Sequence, residues 1–146
     1  MTAFNSAQAR DEAILLARIL LVVLFAVSGW GKLTGFAATV AYMTQVGAPV
    51  PYIAALVATA VELLGAIAIA FGLWTRPVAL LLALFTLGTA LIGHPFWTME
   101  GAARYANSIN FYKNISIISA FLLLYVTGPG RYSVDARLGS AVTSPV

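Results

Sequence analysis

The chain has 146 residues, of which 61% are hydrophobic and 9% charged, with no cysteine, one histidine and a net charge of +3. Ordinary soluble domains carry about 25% charged residues, so this composition, with a mean hydropathy of +0.92, excludes a water-soluble globule and makes lipid the solvent. Without cysteine there is no disulfide, thiolate catalysis, iron–sulfur cluster or zinc–thiolate site, and one histidine excludes a bis-histidine haem within one chain, so no metal or haem is expected.

The first twelve residues are polar. Residues 13–31, AILLARILLVVLFAVSGWG, form a first predicted span. A cleaved signal peptide competes, because Ala26-Val27-Ser28 places small residues before Gly29. Asp11 and Glu12 spoil the basic leader such a peptide needs, and more spans follow. Arg18 lies about a turn and a half into this span. Its side chain leans toward the helix N-terminus and is expected to snorkel to that surface; an inward-facing, functional arginine is the alternative.

Residues 32–51 predict a short amphipathic helix. Thr34 can cap it, Phe36, Val40, Met43 and Val46 or Gly47 form its apolar stripe, and Gly47, Pro49 and Pro51 end it. It is expected at the interface or over the bundle mouth, as simple packing in preference to a gating lid. Residues 52–74 form the second span, with Glu62 near its centre. The third is residues 78–97, with His94 and Pro95 near its end. A polar stretch leads to the fourth, residues 110–128, and residues 129–146 are expected as a mobile polar tail. Asn114-Ile115-Ser116 matches a glycosylation pattern but lies inside a span and is disregarded.

The fold class expected is therefore all-α: one transmembrane domain, a four-helix bundle plus the short amphipathic helix. Trp30, Trp74 and Trp97 fall at span ends, as an aromatic belt requires. Four spans place both termini on one face. That face carries Arg10, Arg76, Arg131 and Arg137, with Arg18 just inside; the other carries Lys32, Arg104 and Lys113. The imbalance favours cytoplasmic termini in a bacterial-type inner membrane, and so small a basic excess spread over loops does not point to nucleic acid. Gly65 and Gly72 on span two, and Thr86, Ala90 and Gly93 on span three, mark faces for close helix packing, with homodimerisation as the alternative use. No internal repeat supports a duplicated transporter core.

Counting along the helices places Glu62 roughly 15 Å below the face carrying the first loop, His94 about 5 Å and Asn114 about 6 Å below it, with Lys32 and Lys113 at the edge. These groups could line a one-sided cleft that ends at Glu62. Arg18 lies toward the opposite side, offset by roughly 10 Å, and is not expected as the main partner of Glu62. A carboxyl at this depth is a structural polar clamp, a proton carrier, or the group that orients a polar head such as a quinone. His94 reads first as a satisfied interfacial histidine and second as a ligand. No P-loop, dinucleotide turn, serine elbow or zinc-protease motif is present.

Arg18, Gly29-Trp30-Gly31-Lys32-Leu33, Pro49-Val50-Pro51, Val61-Glu62-Leu63-Leu64-Gly65, Phe71-Gly72-Leu73-Trp74-Thr75-Arg76 and His94 together resemble the DoxX family, over residues 14–127. The resemblance implies a small four-helix inner-membrane protein. It also implies a redox setting, since relatives include a membrane subunit of thiosulfate:quinone oxidoreductase and a partner of a thiol-handling enzyme and superoxide dismutase. With no cysteine here, any thiol chemistry must come from a partner or substrate. The expectation is a membrane subunit or accessory of a quinone-linked redox system, with Glu62 as proton or head-group contact, Arg18, Lys32, His94, Asn114 and Lys113 as further binding residues, and a partner enzyme. A non-catalytic membrane anchor or assembly factor is the alternative, and a small-solute transporter the third.

Overall fold

The structure, a computed structural model, describes residues 6–142. The very start of the polar N-terminal stretch and the last four residues of the expected tail lie outside the described residues. Among the described residues six α-helices follow in order: α1 Ser6–Thr34, α2 Phe36–Gln45, α3 Pro51–Phe71, α4 Thr75–Gly93, α5 Gly101–Thr127 and α6 Val134–Val142, with a 3₁₀ turn at Phe96–Thr98. Among the described residues there is no strand, and α1, α3, α4 and α5 are long and apolar enough to cross a membrane.

Element ends follow local chemistry. Gly72, at φ +68, closes α3 in the left-handed conformation, and the N–H groups of Gly72 and Leu73 return to the Ile69 and Ala68 carbonyls. Glycine adopts that conformation without a Cβ clash. Pro51 opens α3, where its missing N–H costs nothing. Two helices exceed their predicted spans. α1 runs through Thr34, whose hydroxyl bonds back to the Trp30 and Gly31 carbonyls instead of capping α2. Gly35 is the N-cap of α2 and supplies no side-chain bond. α5 begins at Gly101, not Asn110, because the polar Ala- and Asn-containing stretch before it is helix-compatible and needs no lipid.

The apolar core gathers Val22 and Phe25 of α1, Ala66 and Ile69 of α3, Ala79, Leu82 and Ala83 of α4, and Phe121 and Leu124 of α5. Phe25 meets Phe121 edge to face at 5.3 Å, and Gly65 lets Leu82 press directly on the α3 backbone. This core fills the half of the bundle toward the chain termini. In the other half the same helices border a cavity, which α2 covers from above.

Two expectations need correction. Residues 129–139, expected as part of a mobile tail, fold back onto the bundle. The carboxylate of Asp135 accepts the backbone N–H groups of Trp74 and Thr75, both at 2.8 Å, and so caps the start of α4. Arg18, expected to snorkel, is 1% exposed. It donates to the carbonyls of Pro129 and Tyr132, each at 2.7 Å, and to Ala70 at 3.4 Å. Those carbonyls lie at or just beyond the C-terminal ends of α3 and α5, where a cation complements the helix dipole. The small-residue faces pack within the chain: Gly65 packs on Leu82, Gly72 on Arg18 and Ser133, Gly93 faces Tyr42, and Thr86 and Ala90 are buried.

Candidate functional site

α1 and α3 meet where Gly29 has no side chain. A Cβ there would lie 2.8 Å from the Leu63 Cγ and 3.1 Å from the Glu62 Cβ, so Gly29 stands level with Glu62. Lys32 is one helical turn further on, about 4.5 Å along the axis, a distance its side chain spans easily. Its Nζ donates to both Glu62 oxygens, at 2.7 and 3.0 Å, and to the Ser28 hydroxyl one turn back. The side chain of Glu62 is 8% exposed and that of Lys32 22%. A carboxylate so withdrawn from water is costly unless paired, and the ammonium supplies that pairing.

The ion pair forms part of the wall of a cavity of about 480 Å³, within the range of small-molecule sites. Leu24, Phe25, Val57, Ala58, Phe85 and Ile117 give it an apolar lining, while Tyr42, Met43 and Val46 of α2 cover it. Thr86 and Thr89 of α4 also border it; their hydroxyls donate to the Leu82 and Thr86 carbonyls. His94 lies at the α4 end of the wall, just where Pro95 prevents the helix from continuing. Its Nδ1 lies 3.0 Å from Asn107 Oδ1, and the Asn107 amide is oriented by its own bond from Nδ2 to the Ala103 carbonyl. Because that amide oxygen only accepts, Nδ1 carries the proton and the Nε2 of a neutral ring keeps its lone pair. Edge-to-face contacts among Phe96, Trp97 and Phe111 hold the turn after His94 against α5.

The residues singled out from the sequence are therefore divided. Glu62, Lys32, His94 and Asn114 border one cavity. Lys113 is exposed on the outer side of α5, and Arg18 belongs to the clamp on the C-terminal segment at the other end of α1. No Arg18–Glu62 bridge forms. Ser28, Tyr42, Thr86, Thr89 and Asn107 are additions to the site. Ser28 and Lys32 lie four residues apart, the spacing that places two side chains on one helix face; the others carry no such mark.

The comparisons agree with this architecture. The family model described as DoxX matches residues 13–95, more than half of the chain. The chain is 49% identical over 134 residues to the inner membrane protein YphA of Escherichia coli (strain K12), covering 92% of this chain and 96% of that protein. It is 45% identical over 131 residues to the inner membrane protein YqjF of the same organism, covering 88% and 93%. Over 77 residues it is 35% identical to a protein of Bacillus subtilis (strain 168) named "Putative oxidoreductase CatD", covering 53% and 56%. No solved structure matches. With four spanning helices, and a family match that runs from α1 through His94, the chain is an integral membrane protein that belongs to the DoxX family.

Proposed function

We propose that this protein is the membrane subunit of a quinone-linked redox system in a bacterial-type inner membrane, and that it holds a quinone-class head group in the cavity beside the Lys32–Glu62 pair. The observation that carries this reading is an apolar cavity in the spanning region whose wall holds a desolvated ion pair. A plain packing defect would be lined by apolar atoms alone. A flat, lipid-soluble ring with polar edges matches an apolar lining with a few convergent polar groups. The oxidoreductase designation of CatD and the inner-membrane designations of YphA and YqjF are in keeping with this setting. Glu62 is the polar contact to the head group, His94 and Asn114 are further contacts on the wall, and a partner enzyme supplies the chemistry that a chain without cysteine lacks.

The second reading is a non-catalytic membrane anchor or assembly factor. It is favoured by one observation: Lys32 already satisfies Glu62 within the chain. Equilibrium binding of a short-chain benzoquinone and of its quinol to the purified protein in detergent separates the two. The redox reading expects saturable binding of the head group, with Glu62→Gln weakening the quinol by about tenfold, the loss of roughly one charge-assisted contact. No saturable binding of either form by the native protein would sink it in favour of the anchor.

A further inference from the structure

The hydrogen-bonding capacity of the cavity wall is lopsided, and this bears on which redox form of a head group fits. Lys32 is the cation of the site, and all three of its protons are engaged, by Ser28 and the two Glu62 oxygens. The Glu62 carboxylate accepts those bonds and has lone pairs left, but as a carboxylate it has nothing to donate. The His94 Nδ1 proton is committed to Asn107, so the neutral ring can offer only the Nε2 lone pair. The hydroxyl protons of Thr86 and Thr89 are committed to backbone carbonyls, which leaves these oxygens as acceptors too.

The other polar side chains on the wall, Ser28, Tyr42 and Asn114, donate or accept with equal ease. They serve either form of a ligand and do not discriminate. Every group that does discriminate is an acceptor. A quinone presents carbonyl oxygens, which need donors; opposite Glu62 its carbonyl would face a carboxylate, acceptor against acceptor. A quinol or catechol presents O–H groups that such a wall can take up.

We infer that the cavity selects the reduced, hydroxyl-bearing form of a quinone-class head group over its oxidised carbonyl form, with an O–H of the ligand donated to Glu62. This rests on the reading that a quinone-class head group occupies the cavity. Sites built to hydrogen-bond a hydroxyl discriminate strongly against analogues that lack it, because the buried partner is left unpaired.

The test is anaerobic titration of the purified full-length protein with three probes: a short-chain benzoquinone, the corresponding quinol, and the dimethyl ether of that quinol. The quinol is expected to bind about tenfold or more tightly than the quinone, and the ether to lose that advantage. Glu62→Gln, whose amide can donate, is expected to bring quinol and quinone within about threefold of each other. The native-protein comparison stands even where that variant folds poorly. Thr86→Val offers a second variant that removes an acceptor without touching the ion pair and should also narrow the preference. Quinone binding equal to or tighter than quinol overturns the inference while leaving the broader reading intact. Binding of none of the three probes overturns both.

Discussion

The Lys32–Glu62 contact is the most consequential pair of side chains in the molecule, because each group is tolerable in its place only through the other. Removing one partner of a buried pair strands a charge, which costs about 3–5 kcal/mol; replacing both with apolar groups removes the desolvation penalty as well. Lys32→Met is therefore expected to destabilise the bundle by about 3 kcal/mol, and Lys32→Met combined with Glu62→Leu by much less. Unfolding titrations in mixed micelles of the two singles and the double would decide it; strictly additive costs would show that the pair is not coupled. Glu62, a lone charge in the middle of residues 52–74, could be read from the sequence. Its partner could not. Hydropathy places Lys32 outside the first span, and depth counting ignores both the reach of a lysine and the helix crossing at Gly29 that draws it inward. The commitment of the His94 proton was hidden for a similar reason, since Asn107 lay in a stretch with no spanning signal.

At the level of elements, two joints decide the shape. The first is α1 on α3, where Gly29 already leaves too little room for a methyl group. Gly29→Val should push the helices apart, separate Lys32 from Glu62, and lower the melting temperature more than Gly31→Val, whose Cβ would meet nothing within 4 Å. A thermal-shift comparison of the two variants checks this, and equal losses would count against the joint. The second joint is the C-terminal segment, held by Arg18 from above and by Asp135 at the start of α4. Arg18→Met leaves the Pro129 and Tyr132 carbonyls without their donor. Trypsin cleavage at Arg131 and Arg137 should then rise roughly tenfold, the increase in open population for about 1.4 kcal/mol lost. Arg18→Lys should fall between, because a single ammonium cannot fork to two carbonyls as a guanidinium does. The spans themselves were legible, since long apolar runs and tryptophans at their ends are strong signals. Residues 129–139 were not, because a short polar segment gives no hydropathy pattern and its docking depends on carbonyls and N–H groups that every sequence possesses.

The whole molecule is a bundle packed tightly toward its termini and opened toward its loops, and this asymmetry also bears on how it sits in the membrane. Both ends of the described chain lie on one face: Asp11 of α1 accepts the Arg131 N–H, and Arg18 holds the segment after α5. The orientation vote from basic residues becomes sharper once side chains are placed. Lys32 is withdrawn into its ion pair and Arg18 into its carbonyl cage, so neither counts as a loop charge. What remains is Arg10, Arg76, Arg131 and Arg137 on the terminus face against Arg104 and Lys113 on the other. Basic loop residues are retained on the cytoplasmic side, so the terminus face is expected inside and the cavity half, with α2 and His94, toward the outer side of the inner membrane. The absence of native cysteine makes this directly measurable, because any introduced thiol is the only one in the chain. Arg104 and Arg137 are both exposed and lie on opposite faces. In intact bacterial cells a membrane-impermeant maleimide should label Arg104→Cys and spare Arg137→Cys, which becomes reactive only after the membrane is opened. The reverse pattern would invert the protein, and would place the cavity and its Lys32–Glu62 pair on the cytoplasmic side, within reach of a cytoplasmic partner enzyme.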